Sequence, residues 1–276
     1  MLESPGPSSS RRLNKSQYMK LRQDSLLKIA VWAIRYQGFG VTLLSFLFKV
    51  IALTGLDLTR TEWYTALRDN HFDKKFNIQS AGFIVPETLD IAESQIPDIN
   101  EYQASTPLAF HLIISTFQIP FEKYTFVDIG SGKGRALLMA SEYPFKQILG
   151  VELSADLNEC ATENIRSYRS RTQKCSAINS VHLDANEFEY PNDPLIIYLY
   201  NPFKEKILGN VLRRVEESLT GQPRHMIIVY FHPSHKMLFD KQDFLIPVHF
   251  EEHMRGPVRR LMPVHREHFD QAWVAV

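Results

Sequence analysis

Short apolar runs alternate with helix-like stretches from about residue 100 to the end of the chain. Seven of these runs have the length and the β-branched or aromatic content of strands. They are Phe126–Ile129, Gln147–Leu153, Ser176–Leu183, Pro194–Tyr200, His225–Phe231, Asp243–Glu251 and Phe269–Val276. The fourth run is apolar throughout, which is typical of a strand buried on both faces. Strands separated by helices predict an α/β fold with a doubly wound, mostly parallel seven-stranded sheet.

The first hundred residues carry a different pattern. Residues 1–20 are rich in Ser, Pro and Arg, which predicts a disordered basic tail. Residues 21–100 are predicted to form a helical N-terminal extension or lid, and residues 101–276 the main domain. The apolar part of the extension is densest from Val41 to Leu56, which is shorter than the roughly 17–25 residues of a spanning helix and contains Lys49. It therefore predicts an amphipathic helix, or a pair of helices broken at Gly38 and Gly40.

Charge is balanced over the whole chain but not over its beginning. The 31 basic and 31 acidic residues give no signal for a nucleic-acid partner. Residues 1–60, however, hold nine Lys or Arg residues against three Asp or Glu residues, an excess of six positive charges. Such a segment can lie on an anionic membrane surface. Peripheral membrane contact through residues 21–60 is therefore the alternative to a helical cover packed on the main domain.

Cysteine usage bears on the compartment. The chain has two cysteines, Cys160 and Cys175, which make neither a disulfide framework nor a zinc site. This usage suits a reducing compartment. We expect a cytoplasmic protein, with membrane association as the alternative, and no metal site.

Three glycines at alternate positions follow the first strand of the predicted sheet. Residues 124–135 read YTFVDIGSGKGR, with Gly130, Gly132 and Gly134 between an apolar strand and a helix-forming run. Glycine lets the backbone approach a ligand closely, and the N-terminus of the following helix presents free N–H groups. The third glycine comes one residue earlier than in a dinucleotide fingerprint, and no Ser or Thr follows Lys133 as a phosphate loop requires. The stretch predicts a cofactor site, with a glycine turn that binds nothing as the alternative.

Polar side chains stand at the ends of the next three strands. Glu152 lies at the tip of the second strand, where a carboxylate can accept hydrogen bonds from both hydroxyls of a ribose. Asp184 follows the third strand, and Asn201-Pro202-Phe203 follows the fourth. Simpler explanations remain open: Glu152 near a helix N-terminus capped by Ser154, Asp184 in a turn, and Asn-Pro as a turn before a helix.

The segments VDIGSGKGR, GVELS, LDANEF and YNPF resemble, in order and spacing, motifs of the class I S-adenosylmethionine (SAM)-dependent methyltransferases, in an uncharacterised bacterial-type branch. The resemblance covers roughly residues 102–276. It implies a Rossmann-like sheet whose last strand runs antiparallel, and a SAM site built from strand ends and from the segment before the first strand. The implied cofactor-binding residues are Tyr102, Thr106, Asp128, Gly130, Ser131, Gly132, Glu152, Asp184 and Asn201.

The resemblance also implies a role for each part. Asp128, Gly130 and Gly132 would bind the methionine portion of SAM. Glu152 would bind the ribose, and Asp184 the adenine amino group. Tyr102 and Thr106 would fold over the cofactor, although Thr106 can equally cap a helix. Asn201 is the candidate catalytic residue, which would orient a nucleophile. Amino-methylating members carry [DN]-P-P-[FY] at this place, and this chain is one proline short, so an amine acceptor does not follow.

The function that the resemblance implies is transfer of a methyl group from SAM to an N or O nucleophile. The acceptor would be a protein side chain or a small metabolite. A catalytically silent cofactor-binding protein that acts through its N-terminal helices is one alternative. An NAD-type oxidoreductase is another, against which the early third glycine argues.

Overall fold

A computed structural model describes residues 26–52, 58, 62–248 and 271–275. These residues form seven α-helices and nine strands. The helices are α1 (Leu26–Ala52), α2 (Glu62–Phe76), α3 (Pro107–Ile114), α4 (Arg135–Ala140), α5 (Ala155–Ser167), α6 (Glu205–Gly221) and α7 (Lys236–Asp240). The strands are β1 (Phe83–Ile84), β2 (Tyr102–Gln103), β3 (Thr125–Ile129), β4 (Gln147–Glu152), β5 (Ile178–His182), β6 (Leu195–Tyr200), β7 (Met226–Phe231), β8 (Leu245–Val248) and β9 (Gln271–Ala275). The predicted disordered tail, residues 1–20, lies outside the described residues.

Seven strands form one sheet in the order β5-β4-β3-β6-β7-β9-β8. The pairs from β5 to β7 are parallel, whereas β9 is antiparallel to both of its neighbours. The sheet confirms the predicted fold class, including the antiparallel last strand. Each predicted strand matches an observed one to within two residues at the ends that the structure describes.

Both faces of the sheet are covered, as a doubly wound fold requires. Strand β7 shows that both faces are covered, because successive side chains point to opposite faces and all six of its residues are buried. Met226, Ile228 and Tyr230 pack in one core cluster with α6 and α7, and the intervening residues pack in another with α3 and α4. The near-continuous apolar runs of the central strands follow from this double burial.

The N-terminal helices pack against the sheet domain through α3 and α4. Helix α1 is kinked at Gly38 (φ 79°, ψ 159°), so the predicted break occurs at the first of the two glycines. A Cβ atom at Gly38 would lie 2.6 Å from the His71 ring. The ring of Tyr36 stacks on that of His111 at 4.5 Å, and its hydroxyl donates a 2.5 Å hydrogen bond to Glu142. Burial lowers the pKa of His111 to about 3, which keeps this ring neutral within the stack.

The predicted helical extension is helical only in part. Residues 77–100 form loops with two short 3₁₀ turns, Pro86–Thr88 and Ile96–Asp98, and the two-residue strand β1. Proline at the first or second position of each turn fits the short length of both turns. The strand β1 pairs with β2, so this loop region is attached to residues of the predicted main domain.

Candidate cofactor and active site

A cavity of about 390 Å³ lies at the carboxyl ends of β3, β4 and β6 and beside the end of β5. Its size falls in the range of about 300–1,000 Å³ that small-molecule sites have. It is lined by the glycine loop after β3, by the residues that end β4, β5 and β6, by residues between 89 and 105, and by residues near the N-terminal ends of α4, α5 and α6. The convergence of strand ends that the sequence predicts is therefore present.

The glycine loop adopts conformations that side chains would oppose. Gly130 (φ 77°) and Gly132 (φ 52°) both have positive φ, the left-handed region in which glycine is at ease. A Cβ at Gly130 would lie 2.4 Å from Cβ of Pro202, and one at Gly132 would lie 2.2 Å from the ring of Tyr102. The proline of the N-P-F turn and the tyrosine of β2 thus pack directly on the loop.

Glu152 joins the carboxyl ends of the neighbouring strands β3 and β4. Its Oε2 accepts a 2.7 Å hydrogen bond from the N–H of Gly132, and its Oε1 accepts a 2.9 Å bond from the N–H of Ser154. Each carboxylate oxygen can accept a second hydrogen bond, so the carboxylate can still receive the hydroxyls of a ribose. Ser154 also caps α5, because its Oγ accepts from the N–H of Leu157 at 3.1 Å. The end of β4 therefore helps to form the start of α5, and Glu152 can still bind a ligand.

Two carboxylates are buried at the cavity wall. Asp128 and Glu152 are 3% and 8% exposed, and both line the cavity. Burial raises the pKa of Asp128 well above its ordinary value, and the neighbouring charge of Glu152 raises it further. Burial also raises the pKa of Glu152, although backbone N–H groups at Ser154 and Gly132 oppose the change. A bound cation would relieve both costs, since an opposite charge nearby favours the ionised carboxylate.

Further polar atoms at the wall have no partner within the part of the chain that the structure describes. They are Oγ of Ser131 and Oδ1 of Asn186, both buried. Buried polar atoms in proteins are almost always hydrogen-bonded. The backbone N–H of Asn186 donates a 2.8 Å hydrogen bond to Oδ1 of Asp184. Asp184 is therefore a turn residue, as the simpler explanation has it, and a lining residue as well.

The resemblance implies a seven-stranded sheet with an antiparallel last strand and a glycine loop after its first strand in sequence. The observed sheet has these features, in β9 and in the loop that follows the inner strand β3. The chain has the class I SAM-dependent methyltransferase fold. The strand ends that carry Gly132, Glu152, Asp184 and the N-P-F turn line one cavity at the edge where open α/β sheets bind ligands.

The chain is similar in structure to several solved proteins, at low sequence identity. No protein-family model matches the chain, and no curated protein matches its sequence. Solved structures do match. The YcgJ protein from Bacillus subtilis is 15% identical over 60% of this chain and 95% of its own, with a TM-score of 0.36. TrmN from Thermus thermophilus is 15% identical over 62% and 48%, with a TM-score of 0.41. The ribosomal protein L11 methylase from Lactobacillus delbrueckii subsp. bulgaricus is 13% identical over 61% and 76%, with a TM-score of 0.37. Such distant likenesses concern the fold alone.

One wall of the cavity comes from a region of which sequence reasoning assigned only Tyr102 to the site. We call residues 86–105 the cover segment; twelve of its residues, from Leu89 to Ser105, line the cavity. Gln95 donates a 3.3 Å hydrogen bond to Asp184, and Asn100 donates to the backbone carbonyls of Asn201 and Phe203 at 2.9 and 3.2 Å. The predicted boundary at residue 101 therefore passes through one wall of the site. The cover segment carries no glycine or acidic motif that would reveal this role.

Asn201, the candidate catalytic residue, is not among the residues that line the cavity. Its Oδ1 accepts a 2.8 Å hydrogen bond from the hydroxyl of Tyr230. Burial raises the pKa of Tyr230 to about 12, so the hydroxyl remains a donor at neutral pH. Asn201 has φ 45°, and the turn that it begins places Pro202 and Phe203 at the cavity wall instead.

Of the two residues expected to fold over the cofactor, only one lies at the cavity. Tyr102 lines it, with its ring against Gly132 and its hydroxyl donating to the carbonyl of Ser80 at 2.6 Å. Thr106 is absent from the lining and is the N-cap residue of α3, although its side chain makes no capping bond. The preceding residue, Ser105, lines the cavity and accepts a 3.1 Å hydrogen bond from Tyr198.

Proposed function

We propose that this protein is a SAM-dependent methyltransferase that acts on an N or O nucleophile of a protein side chain or a small metabolite. The observation that carries the proposal is the hydrogen bond between the N–H of Gly132 and the carboxylate of Glu152 at the wall of a single cavity. It brings a glycine loop and an acidic strand end, 20 residues apart in sequence, to one ligand-sized site.

The described residues fit SAM in charge and in hydrogen-bonding capacity. SAM carries a positive sulfonium, a positive amino group and one carboxylate, so it is positive overall, and the cavity has the buried carboxylates of Asp128 and Glu152. Glu152 would take the ribose hydroxyls, and Asp184 the adenine amino group. The unpartnered Oγ of Ser131 is a further group available to a polar ligand. The residues present therefore suit this cofactor.

When bound, SAM supplies a methyl group that is attached to a sulfonium. Transfer of this methyl group leaves a neutral thioether. The protein then has mainly to align the groups and to keep water out. Leu89 and Ile91 of the cover segment add apolar surface to the wall, which favours exclusion of water. Tyr200, Pro202 and Phe203, at the end of β6, would flank the acceptor.

Asn201 belongs to this proposal as a residue that shapes the N-P-F turn. Its Oδ1 accepts the bond from Tyr230, and Asn201 does not line the cavity, so its contact with the turn is the one that the proposal uses. We therefore expect Tyr230→Phe and Asn201→Ala to lower kcat/KM to a similar extent, since both remove the same turn contact. A large loss for Asn201→Ala with no loss for Tyr230→Phe would instead indicate direct contact between Asn201 and the acceptor.

Calorimetry with SAM, S-adenosylhomocysteine and NAD tests the cofactor. We expect SAM and S-adenosylhomocysteine to bind with micromolar affinity and NAD to show no binding. NAD binding in the absence of SAM binding would overturn the proposal in favour of an oxidoreductase.

Turnover separates an enzyme from a silent cofactor-binding protein. The purified protein is incubated with methyl-labelled SAM and an extract from cells that lack it, and the label is then fractionated by size. We expect label in a protein or a small-metabolite fraction, and much less label at limiting SAM when Glu152→Ala replaces the wild type. SAM binding without transfer in any extract would support the silent alternative.

A further inference from the structure

The outer face of α1 is apolar and exposed. Nine of the thirteen large apolar side chains that are exposed in the described part of the chain lie on this helix. After the kink they are Phe39, Leu43, Phe46, Leu47, Val50 and Ile51, and before it Leu27, Val31 and Ile34. The spacing of three and four residues places each set on one side of its helical segment. Phe39 is 69% exposed and Phe46 56%. An apolar face of this extent usually marks an interaction surface.

The inner face of the same helix is held by protein. Tyr36 packs on His111 and Phe72, and Phe48 packs on Tyr64 with 5.5 Å between ring centres. Within the described residues, one helical stretch, Ala30–Phe48, is long and apolar enough to cross a membrane by length and composition. The core helix of a soluble protein and a signal sequence meet the same criterion. Of this stretch 28% is buried by the described residues, whereas a core helix is mostly buried.

Lipid cannot surround this helix while its inner face stays in place. The hydroxyl of Tyr36 donates to Glu142 at 2.5 Å, and Arg35 forms an ion pair with the same carboxylate at 3.2 Å. These contacts hold one side of α1 against the sheet domain. A helix with one packed side and one exposed apolar side fits the plane of a membrane interface rather than a spanning position.

We propose that α1 docks this protein on an anionic membrane surface, with Phe39 and Phe46 at the boundary between headgroups and acyl chains. The distribution of charge favours an anionic membrane as the partner of this face. Residues 1–60 carry nine basic and three acidic residues, in a chain whose net charge is zero. Anionic lipid attracts such a segment. A second copy is a poorer partner, because a two-fold contact through α1 would bring two equally basic segments together.

Membrane docking goes beyond methyl transfer and stands whether or not the acceptor is a lipid. Flotation of the full-length protein with vesicles tests it. We expect the protein to float with vesicles of phosphatidylcholine and phosphatidylserine, and far less with phosphatidylcholine alone. Added salt should weaken the first binding, because it screens the attraction to the anionic surface.

A matched pair of double variants locates the contact. Phe39→Glu with Phe46→Glu alters the outer face of α1, and Phe83→Glu with Met237→Glu makes the same kind of change at two other exposed positions. All four side chains are exposed, so both proteins should keep the wild-type thermal transition. We expect the α1 variant to lose at least tenfold in vesicle affinity and the control variant to stay within about twofold of wild type.

Three results would overturn the proposal. They are failure of the wild type to float with anionic vesicles, equal flotation of the two double variants, and a wild-type dimer in vesicle-free solution that the α1 substitutions dissociate. The last result would assign the face to a contact between copies of the chain.

Discussion

Nη2 of Arg135 donates a 3.1 Å hydrogen bond to Oδ1 of Asp73 in the interior between α4 and α2. Nη1 of the same side chain lies 3.1 Å from Oδ1 of Asp69. Asp73 also accepts from the backbone N–H groups of Ser80 and Ala81, at 2.6 Å each. Arg135 follows the glycine loop directly, is 2% exposed and lines the cavity. The N-terminal helices are thus fastened to the first turn of the helix that faces the site.

Replacement of Arg135 by methionine should strongly destabilise the protein. The change removes the guanidinium that pairs with both Asp69 and Asp73, and it leaves the buried Asp69 with Arg68 at 3.4 Å. Breaking a buried ion pair costs about 3–5 kcal/mol. Urea unfolding measures it. Arg166→Met is the control, because Arg166 and its partner Glu163 are exposed and 3.8 Å apart, which predicts a change within about 0.5 kcal/mol. Equal losses for the two variants would contradict the role of the buried cluster.

A methyl group at Gly132 should disrupt both the fold of the loop and ligand binding. The left-handed backbone alone costs a non-glycine residue about 1–2 kcal/mol, and the new Cβ would lie 2.2 Å from the ring of Tyr102. We expect Gly132→Ala to be destabilised by at least that amount and to lose SAM binding in calorimetry. Gly209→Ala is the control, since a Cβ there meets nothing within 4 Å on α6. It should gain about 0.5–1 kcal/mol.

Asp128→Asn should make the ligand-free protein more stable at neutral pH. An acid whose pKa is higher in the folded than in the unfolded state holds more protons when folded, so stability falls as pH rises between the two pKa values. Asparagine removes this dependence. We expect a higher Tm for the variant above the raised pKa of Asp128, by about 2–4 °C for each kcal/mol of relieved desolvation. The difference should shrink as pH falls toward the unfolded pKa of about 3.9. A lower Tm for the variant at neutral pH would show that the ionised carboxylate is stabilised by contacts.

The site residues at the ends of the strands could be predicted from the sequence. Most residues of the cover segment that line the same cavity could not. Gly132 and Glu152 meet because parallel strands bring their carboxyl ends to one edge, which is a rule of the fold. Gln95 and Asn100 reach the same cavity through a loop that carries no motif, so only the tertiary structure places them there. Asn201 shows a second limit. Its position after β6 can be read from the sequence, but the direction of its side chain cannot, and in the structure its Oδ1 accepts a hydrogen bond from Tyr230.

Glu152→Ala should weaken SAM binding by about 1–3 kcal/mol, the loss expected for hydrogen bonds to a charged group. Calorimetry measures the affinity. The same change leaves the N–H groups of Gly132 and Ser154 without their acceptor, so the thermal transition must be recorded beside each titration. Glu159→Ala is the matched control, because Glu159 is exposed on α5, and its affinity should equal that of the wild type. Wild-type affinity for a folded Glu152→Ala protein would refute the ribose role.

Asp90 should hold the cover segment in place by capping α5 from outside the helix. Its Oδ2 accepts hydrogen bonds from the N–H groups of Ala155 at 2.9 Å and Asp156 at 3.2 Å, and its Oδ1 accepts one from the hydroxyl of Ser154. Loss of a capping side chain costs about 1 kcal/mol. We expect Asp90→Ala to lose about that much stability and to exchange amide hydrogens faster in residues 86–98, because the segment loses its attachment to α5.

Glu93→Ala supplies the comparison for Asp90, since Glu93 is an exposed carboxylate in the same segment. It should leave both stability and exchange unchanged. SAM affinity adds a second readout, because residues of the cover segment line the cavity: Asp90→Ala should weaken binding and Glu93→Ala should not. Faster exchange at the N-terminus of α5 with no change in residues 86–98 would mean that Asp90 stabilises the helix alone, and that the cover segment is held by Asn100 and its bonds to the N-P-F turn.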